Sequence, residues 1–171
     1  MSEEKQDHAA AVQKLGKLIS DIQFAMLTTA EPDGSLRSRP MATHFNHNSK
    51  EFDGTLWFFT KDGSPKVDEV NKDHHVGISF ASPEQSTYVS VSGMATLVKD
   101  RAKNEELWDK KYIAWFPKGL DEPDLALLKV TVDKAEYWDT PSSTVAHIVG
   151  FVKASVTGKP HHAGDHDKIT M

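Results

Sequence analysis

Apolar positions follow two different periods along this chain. Val12, Leu15, Leu18, Ile19 and Ile22 recur three and four residues apart. That spacing predicts an amphipathic helix over about residues 4–20. From Phe24 onward the period shortens. Phe24-Ala25-Met26-Leu27-Thr28-Thr29 is short, apolar and rich in strand formers, and Pro32-Asp33-Gly34-Ser35 follows it. Asp-Gly between two extended runs is a hairpin signal, so residues 35–44 are expected to return antiparallel to 23–30. Asn46-His47-Asn48-Ser49 is rich in turn formers and reads as a loop. Thr55-Leu56-Trp57-Phe58-Phe59-Thr60 reads as a third strand, aromatic and densely apolar.

Gly63-Ser64-Pro65-Lys66 then opens a short helix reaching about residue 72. Serine is a good N-cap, proline suits the first helical position, and Asp68 and Glu69 favour the first turns. His75 through Phe80 is the fourth expected strand and Thr87 through Val98 the fifth. Asp100 can cap a helix carrying Leu107, Trp108, Tyr112, Trp115 and Phe116 on one side. Leu127 through Trp138 is the sixth strand, alternating Leu128, Val130 and Val132 against Lys129, Thr131 and Asp133. Six strands joined by short helices predict an α+β, mainly β fold, a small antiparallel barrel. One domain is expected over residues 1–158, followed by a Gly- and His-rich flexible tail at 159–171.

Composition narrows the chemistry. The chain has 171 residues and no cysteine, so disulfides and thiolate catalysis are excluded. Its net charge is −5, from 25 acidic against 20 basic residues. A mildly acidic surface argues against dedicated nucleic-acid binding. Glu3, Glu4, Lys5 and Asp7 interrupt the first residues, so no secretory leader is expected, and no apolar run is long enough for a membrane helix. The expected location is cytoplasmic.

Three segments are candidate ligand sites. The start of the helix at Ser64-Pro65-Lys66 would offer backbone N–H groups and a positive dipole end, a setting suited to phosphate. Lys66 adds a full charge, and Thr60 and Ser64 add hydroxyls. The ordinary alternative is a capped surface helix with a solvated lysine. Arg37-Ser38-Arg39-Pro40 places two arginines on one face of a strand, and arginine grips phosphate through a planar fork of donors. The alternative is a polar barrel exterior. Pro40 removes a ladder donor, which puts this segment at an edge or a bulge. Trp138, at the end of the sixth strand, can cover a flat ring or simply pack. Trp57, Trp108 and Trp115 read as core or subunit interface. His161, His162, Asp165 and His166 fit no structural zinc spacing, and no metal site is expected. No nucleophile elbow, phosphate-binding loop or dinucleotide fingerprint is present.

In order and spacing, five segments resemble the pyridoxamine 5′-phosphate oxidase-like split-barrel flavoproteins, in particular the general stress protein 26-like branch. They are Arg37-Ser38-Arg39-Pro40-Met41, Leu56-Trp57-Phe58-Phe59-Thr60, Gly63-Ser64-Pro65-Lys66, Tyr88-Val89-Ser90-Val91-Ser92-Gly93 and Glu136-Tyr137-Trp138-Asp139. The resemblance implies a six-stranded split barrel that forms a homodimer with FMN at the subunit interface. It also implies flavin contacts from Arg39, Pro40, Met41, Phe59, Thr60, Lys66 and Trp138, with Arg37, Ser38 and Ser64 in the same segments. The departures are as informative. Pro65 and Tyr88 replace an arginine and a glutamine of the vitamin B6 oxidases, and Asp139-Thr140-Pro141-Ser142-Ser143-Thr144 lacks their substrate-gripping segment. FMN binding is expected, and pyridoxamine phosphate oxidation is not. The implied function is a flavin-dependent oxidoreductase acting on a small-molecule redox substrate. The competing readings are a non-enzymatic flavin carrier or sensor and, more weakly, a haem-binding relative. No side chain is assigned as catalytic.

Overall fold

The β-hairpin signalled by Asp33-Gly34 forms as expected. Gly34 takes a positive φ of 84°, which glycine adopts without steric cost. The turn closes as the Glu31 N–H donates to the Ser35 carbonyl and the Gly34 N–H to the Glu31 carbonyl. The strands it joins are β1 (Phe24–Ala30) and β2 (Leu36–Ala42). The computed structural model describes residues 3–44, 51–140 and 165–171. Its other elements are α1 (Glu3–Ser20), β3 (Thr55–Lys61), α2 (Pro65–Lys72), β4 (His75–Ser82), β5 (Thr87–Val98), α3 (Arg101–Leu107), β6 (Leu125–Asp139) and β7 (Asp165–Thr170). The expected loop at residues 46–49 lies outside the described residues.

The strands form one antiparallel sheet in the order β2-β1-β4-β5-β6-β3, with β7 also paired to β6. Among the described residues, the ends of the sheet meet through one bridge, between His44 just past β2 and Trp57 of β3. The sheet therefore curls into a barrel that is split at this seam, an α+β, mainly β architecture. Alternating positions of the strands face inward, among them Leu27, Phe58, Ile78, Phe80, Val89, Val91, Leu128 and Val130, all nearly inaccessible. Helix α1 lays Val12, Leu15 and Ile19 against the same core, the face its periodicity predicts. A bulge between Ser92 and Gly93 bends the long β5–β6 ladder. A Cβ at Gly93 would lie 2.3 Å from the Thr131 carbonyl oxygen, so only glycine fits this close approach.

Two expectations are corrected. The helix expected from Asp100 through Phe116 breaks after Leu107. Asp100 does cap α3, accepting the Ala102 and Lys103 N–H groups, but Trp108 is extended and Asp109 starts a second, 3-10 turn over Lys110–Ala114. Asp109 accepts the Lys111 N–H, the local side-chain bond by which aspartate competes with a continuing helix. The second correction concerns the tail. Residues 165–170 form a seventh strand antiparallel to β6. β3 pairs with β6 only at Leu125–Thr131, which leaves that side of the Lys134–Asp139 stretch open. β7 fills this edge, and Ile169 enters the core at 3 % exposure.

Candidate functional site

The seam between β2 and β3 opens into a cleft. Thr43 N–H donates to the Gln23 carbonyl across β1, whereas His44 N–H donates to the Trp57 carbonyl across β3. Backbone direction alternates along an antiparallel strand, so Ala42 and Pro40 also turn their backbone groups toward the seam. Pro40 thus sits where a missing N–H costs no ladder bond, which explains a proline inside a strand. The cleft has a volume of about 400 Å³, within the range of small-molecule sites. Pro40, Met41 and Ala42 line one wall, and Phe59, Thr60 and Lys61 the facing wall.

Lys66 lies at the cleft's polar end, in the first turn of α2. Ser64 is the N-cap residue but caps no backbone N–H with its side chain. Its hydroxyl lies 3.3 Å from that of Thr60 instead, so two hydroxyls stand together beside the helix start. Among the described residues Lys66 makes no ion pair, while Lys61 pairs with Asp124 at 3.8 Å. Burial lowers the Lys66 pKa, the Arg39 charge lowers it further, and Glu69 opposes both. A half-buried ammonium without a partner is poised to take an anionic group.

The two arginines do not form one cationic stripe. Arg37 is exposed and its Nε donates to Glu31 at 2.6 Å, in the hairpin turn. Arg39 is engaged on its inner side, donating to Thr29 Oγ1 at 2.7 Å and to Glu69 Oε1 at 2.8 Å. The Ser38 hydroxyl shares a 2.7 Å bond with that of Thr28 on the outer face. The structure therefore gathers Pro40, Met41, Phe59, Thr60 and Lys66 around the cleft, with Ser64 and Arg39 beside it. Arg37 and Ser38 point elsewhere.

Trp138 also lies elsewhere. Thr60 faces Ala126 across β3 and β6, whereas Trp138 pairs with Tyr88 near the other end of β6, outside the cleft lining. Its ring is 40 % exposed and stacks on the His166 imidazole, with centroids 5.3 Å apart.

The remaining cleft residues went unrecognised in the sequence. Phe24 and Trp115, both exposed, touch edge to face at the cleft mouth with centroids 6.3 Å apart. Tyr112 and Phe116, from the segment after α3, complete an aromatic wall. The Tyr112 hydroxyl lies 2.9 Å from Nδ1 of the buried His44, and burial pushes its pKa up to about 12, with Asp109 adding to the shift. Tyr112 is therefore a neutral phenol at ordinary pH. The only sequence signal for this wall was an aromatic-rich stretch, which served equally well as core.

Comparison with known proteins bears on the family and the fold. A family model described as "Pyridoxamine 5'-phosphate oxidase like" matches residues 10–162. Among curated proteins, the chain is 28% identical to Protein bli-3 of Neurospora crassa over 159 residues, covering 87% of this chain and 74% of that one. A solved structure described as a general stress protein 26 from a Jannaschia species superposes with a TM-score of 0.76 at 22% identity, covering 95% of this chain and 99% of the other. A structure described as a general stress FMN/FAD binding protein from Xanthomonas citri gives a TM-score of 0.67 at 29% identity, covering 78% and 92% respectively.

Proposed function

This chain belongs to the pyridoxamine 5′-phosphate oxidase-like family, and from that premise we propose that it binds FMN in the cleft between β2 and β3 and acts as a flavin-dependent oxidoreductase. The observation that carries this reading is the cleft's polarity. Lys66, the Thr60 and Ser64 hydroxyls and the start of α2 stand at one end, and an open strand edge flanked by aromatic side chains at the other. The first suits a phosphate monoester and the second a flat heterocycle with hydrogen-bonding edges. The description of the Xanthomonas citri neighbour as an FMN/FAD binding protein supports a flavin. Of the two cleft lysines only Lys66 lacks an ion pair among the described residues, which favours the single phosphate of FMN. When bound, the flavin supplies hydride exchange at its N5 atom. The protein's part is to hold the phosphate with Lys66, to align the ring edge along Pro40–Ala42, and to exclude water with Phe59, Trp115 and Phe116.

A homodimer is part of the same proposal. On the sheet's outer face Tyr88 pairs with Trp138 and Trp138 with His166, and Phe24, Met26, Tyr88 and Trp138 are all at least 40 % exposed. Apolar residues concentrated on one face mark an interface, and a twofold axis buries the same patch on both copies. Such a dimer brings Trp138 of one copy to the cleft of the other. The substrate is a small redox-active molecule other than a B6 phosphate.

The visible spectrum of the purified protein, with mass analysis of the compound released on heating, tests the cofactor; flavin bands with an FMN mass are expected. Negligible peroxide from pyridoxine phosphate is expected of the loaded protein, and robust production would overturn the substrate assignment. Sedimentation followed at a flavin wavelength tests assembly, and flavin travelling with a stable monomer of about 19 kDa would sink the shared site. Loaded protein that turns over no reduced nicotinamide with any acceptor would be a carrier or sensor instead.

A further inference from the structure

A closed ring of hydrogen bonds stands behind the polar end of the cleft. The Thr29 hydroxyl donates to Glu69 Oε2 at 2.5 Å and accepts from Arg39 Nη1 at 2.7 Å, while Arg39 Nη2 donates to Glu69 Oε1 at 2.8 Å. The ring ties β1, β2 and α2 together at one point. Glu69 is 6 % exposed, the one acidic residue among the buried polar residues described. It lies one turn beyond Lys66 on α2. The guanidinium side chain is 20 % exposed against 7 % for the carboxylate, so the pair directs its positive end outward. Arginine carries five donors, and the ring occupies two of them.

We propose that Glu69, with Thr29, is the positioning residue of the anion-binding end of the cleft. It fixes the Arg39 guanidinium so that the remaining Arg39 donors act together with Lys66 on a ligand phosphate. This rests on the flavin reading for the identity of the ligand, not for the presence of an anion site. A charge-assisted bond to a buried carboxylate holds a long side chain in one orientation. Without it, Arg39 is free to turn toward Glu31, already paired with Arg37 beyond the end of β1. The mobile guanidinium then no longer meets the phosphate in a fixed geometry.

The test compares FMN with riboflavin, which lacks the phosphate. In titrations by flavin fluorescence, E69Q should weaken FMN about tenfold and leave riboflavin within about twofold. T29V should do the same to a smaller degree, and the double variant R39K/E69Q should be no worse than R39K alone, as expected for residues that act through one another. Equal losses for both ligands would mean a merely structural ring. Unchanged or tighter FMN binding by E69Q would mean that the carboxylate opposes the phosphate. Either result overturns the proposal. Thermal shifts with inorganic phosphate provide an arm independent of flavin. If the wild-type protein binds neither flavin, the cofactor reading fails alone, and stabilisation of wild type but not of E69Q by phosphate still supports the positioning role. Stabilisation of both, or of neither, ends it.

Discussion

The two ends of the β5–β6 ladder carry similar ingredients and differ in how completely one chain assembles them. At the cleft end, β1, β2, β3, α2 and the segment after α3 all contribute, and each wall has a facing wall. At the other end, Trp138 has His166 on one face and no second aromatic wall among the described residues. The difference teaches that a single chain suffices to close a cleft with a lysine at one end, whereas the exposed aromatic surface has no facing wall among the described residues. It also separates the energetics. Half-buried residues of the first region such as Lys66 should act on ligand affinity with little effect on folding, and exposed residues of the second should act on assembly; buried residues of either, Phe59 and Ile169 among them, should act on folding.

The largest expected effect sharpens this division at the Trp138 end. Ile169→Ala removes a buried side chain of β7 and should cost about 2–4 kcal/mol in urea unfolding, with flavin affinity retained below the transition. A loss within a few tenths of a kcal/mol would mean that β7 is not part of the cooperative unit. Next in size, Lys66→Ala at the cleft end should weaken FMN about tenfold to a hundredfold, roughly 1.5–3 kcal/mol for a bond to a charged group, with the unfolding midpoint of the flavin-free protein unchanged. Unchanged affinity would remove Lys66 from the site. The smallest effect couples the regions. Trp138→Ala should weaken FMN about threefold to tenfold, scaled to the lower end of interface truncations, and should shift the monomer–dimer balance toward monomer. An affinity loss without a shift in assembly would place Trp138 against flavin within one chain, contrary to the separation of the two ends.

Much of the fold was legible because its signals are local. The Asp33-Gly34 turn, the inward alternation of β6 and the Ser64-Pro65 start of α2 each depend on residues within a few positions of one another. β7 was missed because its reason is remote. Histidine, aspartate and glycine give residues 159–171 the composition of a tail, and only the open half of β6 makes Asp165–Thr170 a strand. The break after Leu107 was missed because one helical face and two shorter turns present the same apolar spacing, and Asp109 decided between them.

The site divides along the same line. Thr60, Ser64 and Lys66 lie close together in the chain, so the sequence by itself determined that hydroxyls, a helix start and an ammonium would share one place. The sequence also determined that Pro40 belongs on an edge. Only the tertiary structure decided which arginine lies beside the cleft. Arg37 and Arg39 are alike in sequence, but the strand register sets Arg37 beside the hairpin turn and Arg39 beside Thr29, under a helix that delivers Glu69 from 30 residues away. The physical reason is that backbone preference is written in neighbouring residues, whereas the partner of a charge is set by which surfaces the curled sheet brings within about 3 Å of each other.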